Sequence, residues 1–453
     1  MLGELEVPKN AYWGINTQRA IHNFRISGER FPESFLLALG TVKKACVKAN
    51  LDSGQVDDEK GKAILQAIDE LLQDKRLLDQ FPLDIFQTGS GTQINMNMNE
   101  VLSNRANEIL GYPRGTKFPV HPNDHVNKSQ SSNDVIPTAM NLSILQLLKS
   151  KLFPALNLLE RNLVRKINDF RDIIKVGRTH LQDAVPIRLS SEFEVYLRQI
   201  QLSRTRLRNV RAELCAVPIG GTAVGTGLGA DRNFGKLAVA HLGKISGFHF
   251  RLNPVKAEGI ASHNSIAKTS GELRLLALSL LKMANDIRWM GSGPRAGLGE
   301  LRLPENEAGS SIMPGKINPT QAESLIQVCL QVIGSDLTVC FAEAFGSTLD
   351  LNVTKPLIIV NVLKSIELLT NGIYSFVQTC LEGLKANVEN INLQLERNLM
   401  VATRLVPILG YDKASQIARL AAQKGTTIKQ VIVDLKLKIK GSLDELLDPK
   451  KMV

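Results

Sequence analysis

From Leu189 to Arg211 the chain reads LSSEFEVYLRQIQLSRTRLRNVR. Apolar residues fall at Leu189, Phe193, Tyr196, Ile200, Leu207 and Val210, spaced by three, four or a sum of the two. That is the repeat of an α-helix with one buried stripe. The opposite side carries Arg198, Arg204, Arg206, Arg208 and Arg211. This stretch points to an all-α chain, and the same period recurs outward from it. Toward the N-terminus, Ile136 to about Ile174 sets Ile144, Leu148, Leu152, Leu156, Leu159 and Leu163 on one stripe. Pro154 falls inside and is expected to kink the helix without ending it, because the period resumes beyond. Toward the C-terminus, helices are expected from about Ser265 to Met290, from about Thr320 to Phe345, and after Pro356 to about Leu384.

Five helices of roughly 25 to 35 residues are each roughly 40 to 50 Å long. Such lengths suit a bundle. Several are apolar on more than one face, Leu325 to Phe345 above all, and such helices need cover from beyond one chain. An oligomer with a shared core is expected. The 453 residues exceed one small core. They divide into an N-terminal domain of mixed helix and loop (1–130), a central long-helix bundle (131–390) and a small C-terminal helical domain (391–453).

Lys plus Arg number 55 against 44 Asp plus Glu, a formal charge of +11. That balance suits nucleic acid, an anionic lipid surface or a small anionic substrate. Aromatics are only 5%, which argues against base-stacking RNA binders. The arginine run has no interleaved aromatics and reads as a solvated face or inter-subunit salt links. Cys46, Cys215, Cys329, Cys340 and Cys380 are odd in number and form no CxxC. That speaks against a disulfide framework or a cysteine zinc module, and for a reducing compartment. Leu325 to Phe345 contains Gln327, Gln331 and Asp336, so it reads as a buried helix, not a membrane span. Met1 to Lys9 shows neither an h-region nor an Arg-rich leader. A soluble, cytoplasmic protein with no membrane and no nucleic-acid partner is expected.

Turn-rich polar segments lie between the helices: Gly89–Asn99 (GSGTQINMNMN), His121–Asn133 (HPNDHVNKSQSSN), Pro218–Gly229 (PIGGTAVGTGLG) and Gly291–Pro319, with six Gly and four Pro. Within the last, Gly309–Pro319 reads GSSIMPGKINP. Main-chain N–H groups of such a loop bind carboxylates. Lys316 adds a point charge and Asn318 a neutral donor, which suits a carboxylate that gains charge during reaction. The plain alternative is a connection into the next helix. His180, beside Thr179 in GRTHLQDAVP, is a catalytic candidate or a structural histidine. His121 and His125 have the i, i+4 spacing of two metal ligands, but Pro122 and the Asn123–Asp124 pair favour a turn, and no metal is expected. In PIGGTAVGTGLG no GK[ST] follows and no strand–helix crossover is expected, so packing at a helix break is preferred over nucleotide binding.

GSSIMPGKINP resembles the signature of the fumarase/aspartase superfamily. The resemblance covers nearly the whole chain. VPKNAYWGINTQRA, GSGTQINMNMNEVLSNRA, HPNDHVNKSQSSNDVIPTAM, GRTHLQDAVP, PIGGTAVGTGLG, NDIRWMGSGPRAGLGE, GYDKASQIARLAA and DPKKMV look like class II fumarase segments, in order. Aspartases typically carry Gln where His180 stands and Ala where Gly315 stands, which makes aspartate ammonia-lyase the alternative.

The resemblance implies reversible anti addition of water to fumarate, giving (S)-malate, with no metal or organic cofactor. In the reverse direction a base must take a proton from carbon beside a carboxylate. The carbanion is tolerable only as an aci-carboxylate dianion ringed by fixed donors. By resemblance, Ser310 is that base, and its alkoxide needs main-chain N–H groups and Lys316 nearby. Ser311, Lys316 and Asn318 hold the substrate carboxylate. His180, paired with Glu323, handles water and the leaving hydroxyl. Ser90, Gly91, Thr92, Ser131, Ser132, Asn133 and Thr179 match carboxylate-binding positions, for which turn and cap chemistry is the plain reading. His121, Pro122, Asn123 and Asp124 match a second anion site. There, related chains often carry an arginine where this one has Phe118, with Lys117 and Arg114 nearby. The implied assembly is a homotetramer with a twenty-helix core, three subunits meeting at each of four sites. Its dicarboxylate partners are dianions that a positive molecule attracts.

Overall fold

The computed structural model describes residues 4–453. The first three residues of the Met1–Lys9 segment lie outside it. All five long helices form. Leu189–Asn209, Asn264–Met290, Thr320–Gly346 and Lys355–Phe376 are single helices. The fifth runs from Ser132 to Asp169 through one wide π turn at Leu148–Leu152. In that turn the Phe153 N–H donates to the Leu148 carbonyl, five residues back. Pro154 has no N–H to give, and the widened turn just ahead of it absorbs the mismatch.

Two segments differ from what their composition suggests. Gly89–Asn99 is a turn only at its start, because a helix runs from Thr92 to Ile109. Its asparagines are buried and their amide N–H groups have partners, while their Oδ1 atoms have none: Asn97 Nδ2 donates to the Gln80 carbonyl, and Asn95 and Asn99 Nδ2 to Asn127 Oδ1. Polar side chains on the buried face erase the apolar period. Pro218–Gly229, in turn, does lie in a strand–helix crossover. Ala216–Val217 pairs in parallel with Arg251–Leu252, and the Phe234–Ser246 helix lies between them in the chain. Strands of two residues carry no readable alternation.

Two compact units make up the chain. One joins the described part of Met1–Pro154 with Ser203–Leu275 and Leu330–Thr370. At its centre the Glu33–Asp52 helix packs against Phe234–Ser246 and Ser132–Leu147. The other joins Ala155–Leu202, Leu276–Cys329 and Asn371–Val453. It holds an antiparallel hairpin, Ile174–Thr179 with Gln182–Arg188, and a short pair, Leu301–Arg302 with Lys385–Ala386. Its C-terminal part has its own small core around Leu405, Ile417, Ala421, Val431 and Ile432.

Within one chain the Thr320–Gly346 helix is covered on one side only. Leu325, Cys329, Val332 and Val339 are buried, but Leu330, Leu337, Phe341 and Phe345 are 55%, 58%, 55% and 78% exposed. The helix is apolar on two sides, and one chain covers one of them. Asp336 in its middle is tolerated because Arg274 Nε lies 2.7 Å from its carboxylate. By length and composition, this helix and Lys355–Leu381 both match a membrane span. Each packs part of its surface into the chain's own core.

His263, just before the Asn264–Met290 helix, is 4% exposed, and its Nε2 has no partner. Burial, with Lys355 nearby, pushes its pKa down to about 3. The unfolded chain protonates this ring near pH ~6.5. The folded value is depressed, so stability present above that pH is lost as pH falls, by at most ~1.4 kcal/mol per pH unit. In His263→Gln that loss is removed. The stability difference between wild type and variant should therefore narrow between pH 7 and pH 5 in unfolding curves. A constant gap would show that the ring titrates alike in both states.

Candidate active site

In the first unit, Gly91 takes a left-handed conformation (φ 77°) and starts the Thr92–Ile109 helix. Ser90 Oγ lies 2.7 Å from Thr92 Oγ1, which lies 2.9 Å from Ser132 Oγ. The GSGT and SSN segments therefore meet as a row of three hydroxyls, each with capacity to donate or accept further. Ser131 caps the Ser132–Leu147 helix in a reciprocal box: its Oγ accepts from the Asn133 N–H at 3.2 Å, and its own N–H donates to Asp134 at 3.0 Å. Asn133 Nδ2 donates to the Ala223 carbonyl.

Asp134 is fully buried and accepts two more main-chain bonds, from the Gly220 and Thr222 N–H groups, both at 2.9 Å. The glycine-rich loop thus spends those donors on a carboxylate of its own chain, not on a phosphate. Burial pushes the Asp134 carboxyl up to about 6, against the pull of its three N–H donors and Lys43. Sequence reasoning passed over Asp134. The S-x-x-D spacing from Ser131 was the available signal.

His121 caps the single turn Pro122–Val126. Its Nδ1 accepts from the Asn123 and Asp124 N–H groups, both at 3.2 Å, and His125 Nδ1 accepts from the His121 N–H at 2.8 Å. Both rings thus use Nδ1 within the turn, and burial lowers the pKa of His125. Phe118 is 63% exposed and meets Tyr112 edge-on. Arg114 stacks over the Tyr12 ring at 4.6 Å and lies 3.7 Å from Glu108. Pro122, Arg114, Lys117 and Lys9 line a cavity of about 550 Å³.

In the second unit, the hairpin places His180 at its tip. Thr179 pairs with Gln182, and His180 and Leu181 form the two-residue turn with φ of 55° and 59°. Two positive φ values fit the right-handed twist of a hairpin but favour Asn-Gly. His and Leu there cost about 1 to 3 kcal/mol each, which surrounding structure has to offset. Thr179 is exposed with His180.

Ser310 Oγ accepts two main-chain bonds, from Met313 N–H at 3.1 Å and Ile312 N–H at 3.3 Å. Asn318 Nδ2 donates to the Gly309 carbonyl and closes the neck of that loop. Ser311 and Lys316 are exposed on it, and Glu323 is exposed in the first turn of the Thr320–Gly346 helix. Among the described residues, no hydrogen bond or ion pair joins His180 to Glu323 within one chain.

Residues 3–334 match the lyase family and residues 401–453 the family of fumarase C C-termini. The chain is 46% identical over 451 residues to the class II fumarate hydratase of Nitrosomonas europaea, covering 100% of this chain and 97% of that one. Against its counterpart from Thermosynechococcus vestitus it is 49% identical over 434 residues, 96% of this chain and 92% of that one. The crystal structure of the class II fumarase from Schistosoma mansoni superposes with a TM-score of 0.97 at 37% identity, over 100% of this chain and 97% of that one. The chain belongs to the class II fumarases of the fumarase/aspartase superfamily.

Proposed function

We infer that this chain catalyses the reversible hydration of fumarate to (S)-malate. The observation that carries the mechanism is the Ser310 hydroxyl cradled by the Ile312 and Met313 N–H groups. Donors aimed at an oxygen favour the form that bears negative charge. In the dehydration direction, Ser310 Oγ takes the proton from the carbon beside a carboxylate. The electron pair moves into that carboxylate, and Ser311, Lys316 and Asn318 hold the resulting dianion. His180, oriented by Glu323, gives a proton to the departing hydroxyl, which leaves as water while the double bond forms. The hydroxyls of Ser90, Thr92 and Ser132, with Gly91, Ser131, Asn133 and Thr179, bind the carboxylates. His121, Pro122, Asn123 and Asp124 form a second anion site.

The test is a spectrophotometric assay that offers malate and aspartate separately. Fumarate is expected from malate. Fumarate from aspartate alone would make the chain an ammonia-lyase.

The assembly in this proposal is a cytoplasmic homotetramer in which the central bundle, 131–390, supplies a twenty-helix core and residues 1–130 and 391–453 form the ends. The exposed apolar stripe of the Thr320–Gly346 helix supports it. Leu337→Lys with Phe341→Lys would bury two unpaired charges in that core. The double variant should sediment as species smaller than four chains and lose at least ~10-fold in turnover, since residues from several chains complete each site. Wild-type mass and turnover would exclude this stripe from the interface.

A further inference from the structure

We propose that the buried carboxylate of Glu300 is the positioning residue for His180, acting through Arg178 and Lys175. The proposal rests on the role given to His180 above. Lys175 and Arg178 lie three residues apart on one strand, and an unbroken strand sends such residues to opposite faces. Here the pairing slips. Val176 faces Pro186 but Arg178 faces Asp183, so Gly177 stands against two residues of the partner strand. A Cβ on Gly177 would lie 2.6 Å from the Val185 carbonyl oxygen, so the bulge requires glycine. Bulges re-aim side chains, and here both cations reach one acid. Lys175 Nζ lies 3.1 Å from Glu300 Oε2, and Arg178 Nη1 lies 2.5 Å from Glu300 Oε1. Lys175 also donates to Glu192 at 2.8 Å, and Arg178 Nη2 to Gln394 at 2.8 Å.

Glu300 is fully buried and Lys175 is 1% exposed. A buried charge cluster adds little net stability, because desolvation offsets the attraction. What it supplies is a fixed geometry. Two residues beyond Arg178 stands the strained His180–Leu181 turn. Leu181 is 65% exposed, so core packing within its own chain does not hold that turn in place. Glu300 itself is anchored through its main chain: its N–H donates to the Met290 carbonyl, and its carbonyl accepts from the Asn387 N–H, both at 2.8 Å. It leads directly into Leu301–Arg302, the strand from which the Ser310 loop departs. One anchored carboxylate therefore grips the hairpin that carries the candidate acid.

Glu300→Gln keeps the size and removes the charge. With folding checked by circular dichroism, kcat for malate should fall by roughly 10- to 100-fold, as for a misplaced catalytic group. The discriminating measurement repeats the change in a His180→Asn background, where the further loss should be at most about twofold because the route runs through His180. An equal further loss there would mean a general structural role and would overturn the proposal, as would wild-type kcat in the single variant. If Glu300→Gln does not fold, Arg178→Lys allows the same comparison, since it keeps the charge but loses the fork shared by Glu300 and Gln394. A wild-type chain that does not hydrate fumarate would overturn the functional reading itself. Loss in His180→Asn with none in Glu300→Gln or Arg178→Lys would overturn only this inference.

Discussion

Ser310→Ala should lower kcat by roughly 10²-fold or more while leaving KM within a few fold, as expected for loss of a general base. The geometry explains why the effect should be chemical and not structural. Alanine removes the acceptor for the Ile312 and Met313 N–H groups. Ile312 is 83% exposed and Met313 48%, so water can take the place of that acceptor and little strain follows. The loop neck, closed by Asn318 on Gly309, does not involve the hydroxyl. The kcat/KM for hydration of fumarate and for dehydration of malate should fall by the same factor in steady-state assays, because the equilibrium constant, which is their ratio, is unchanged. Near-normal turnover would remove Ser310 from the mechanism.

A larger loss of stability is expected from Gly89→Ala. A Cβ at Gly89 would lie 1.3 Å from the Val353 carbonyl oxygen and 2.1 Å from its carbon. Those are main-chain atoms, and the Lys355 N–H donates to the Gly89 carbonyl at 3.0 Å, which holds the two stretches together. No rotamer change relieves such a clash, so the backbone itself must move. Overpacking of this kind costs about 3 kcal/mol or more. Gly89 adjoins Ser90, so the hydroxyl row shifts as well, and kcat/KM should fall by ~10²-fold in whatever still folds. Urea midpoints and kinetics on the same preparation check both. A wild-type midpoint would mean that the two chain segments are not in this close contact.

The long helices were legible because their apolar stripes repeat every three or four residues over many turns. Pro154 was legible for the same reason, since Leu156, Leu159 and Leu163 continue the stripe beyond it. The Thr92–Ile109 helix was not, because its buried face includes Asn95, Asn97 and Asn99, whose amides donate to Asn127 and to the Gln80 carbonyl. The hairpin was hidden too. Lys175 is buried between Ile174 and Val176, so neither alternation nor an apolar run marks the strand. At the site, Ser310, Lys316, Asn318 and His180 stood out by residue type and by resemblance to related chains. Asp134, Arg178 and Glu300 did not, because a buried acid looks like any surface acid until its distant donors are known. Periodicity reports one element at a time, whereas a buried charge is settled by groups far along the chain.

The exposed stripe of Leu330, Leu337, Phe341 and Phe345 also bears on how the chain is made. A newly synthesised copy carries that adhesive surface before any partner arrives, and such surfaces promote aggregation as readily as assembly. In the proposed tetramer that competition is set by encounter rates, so dilution delays the productive meeting. The rate at which copies meet therefore bears on how many reach the working form of that tetramer, before any substrate is bound.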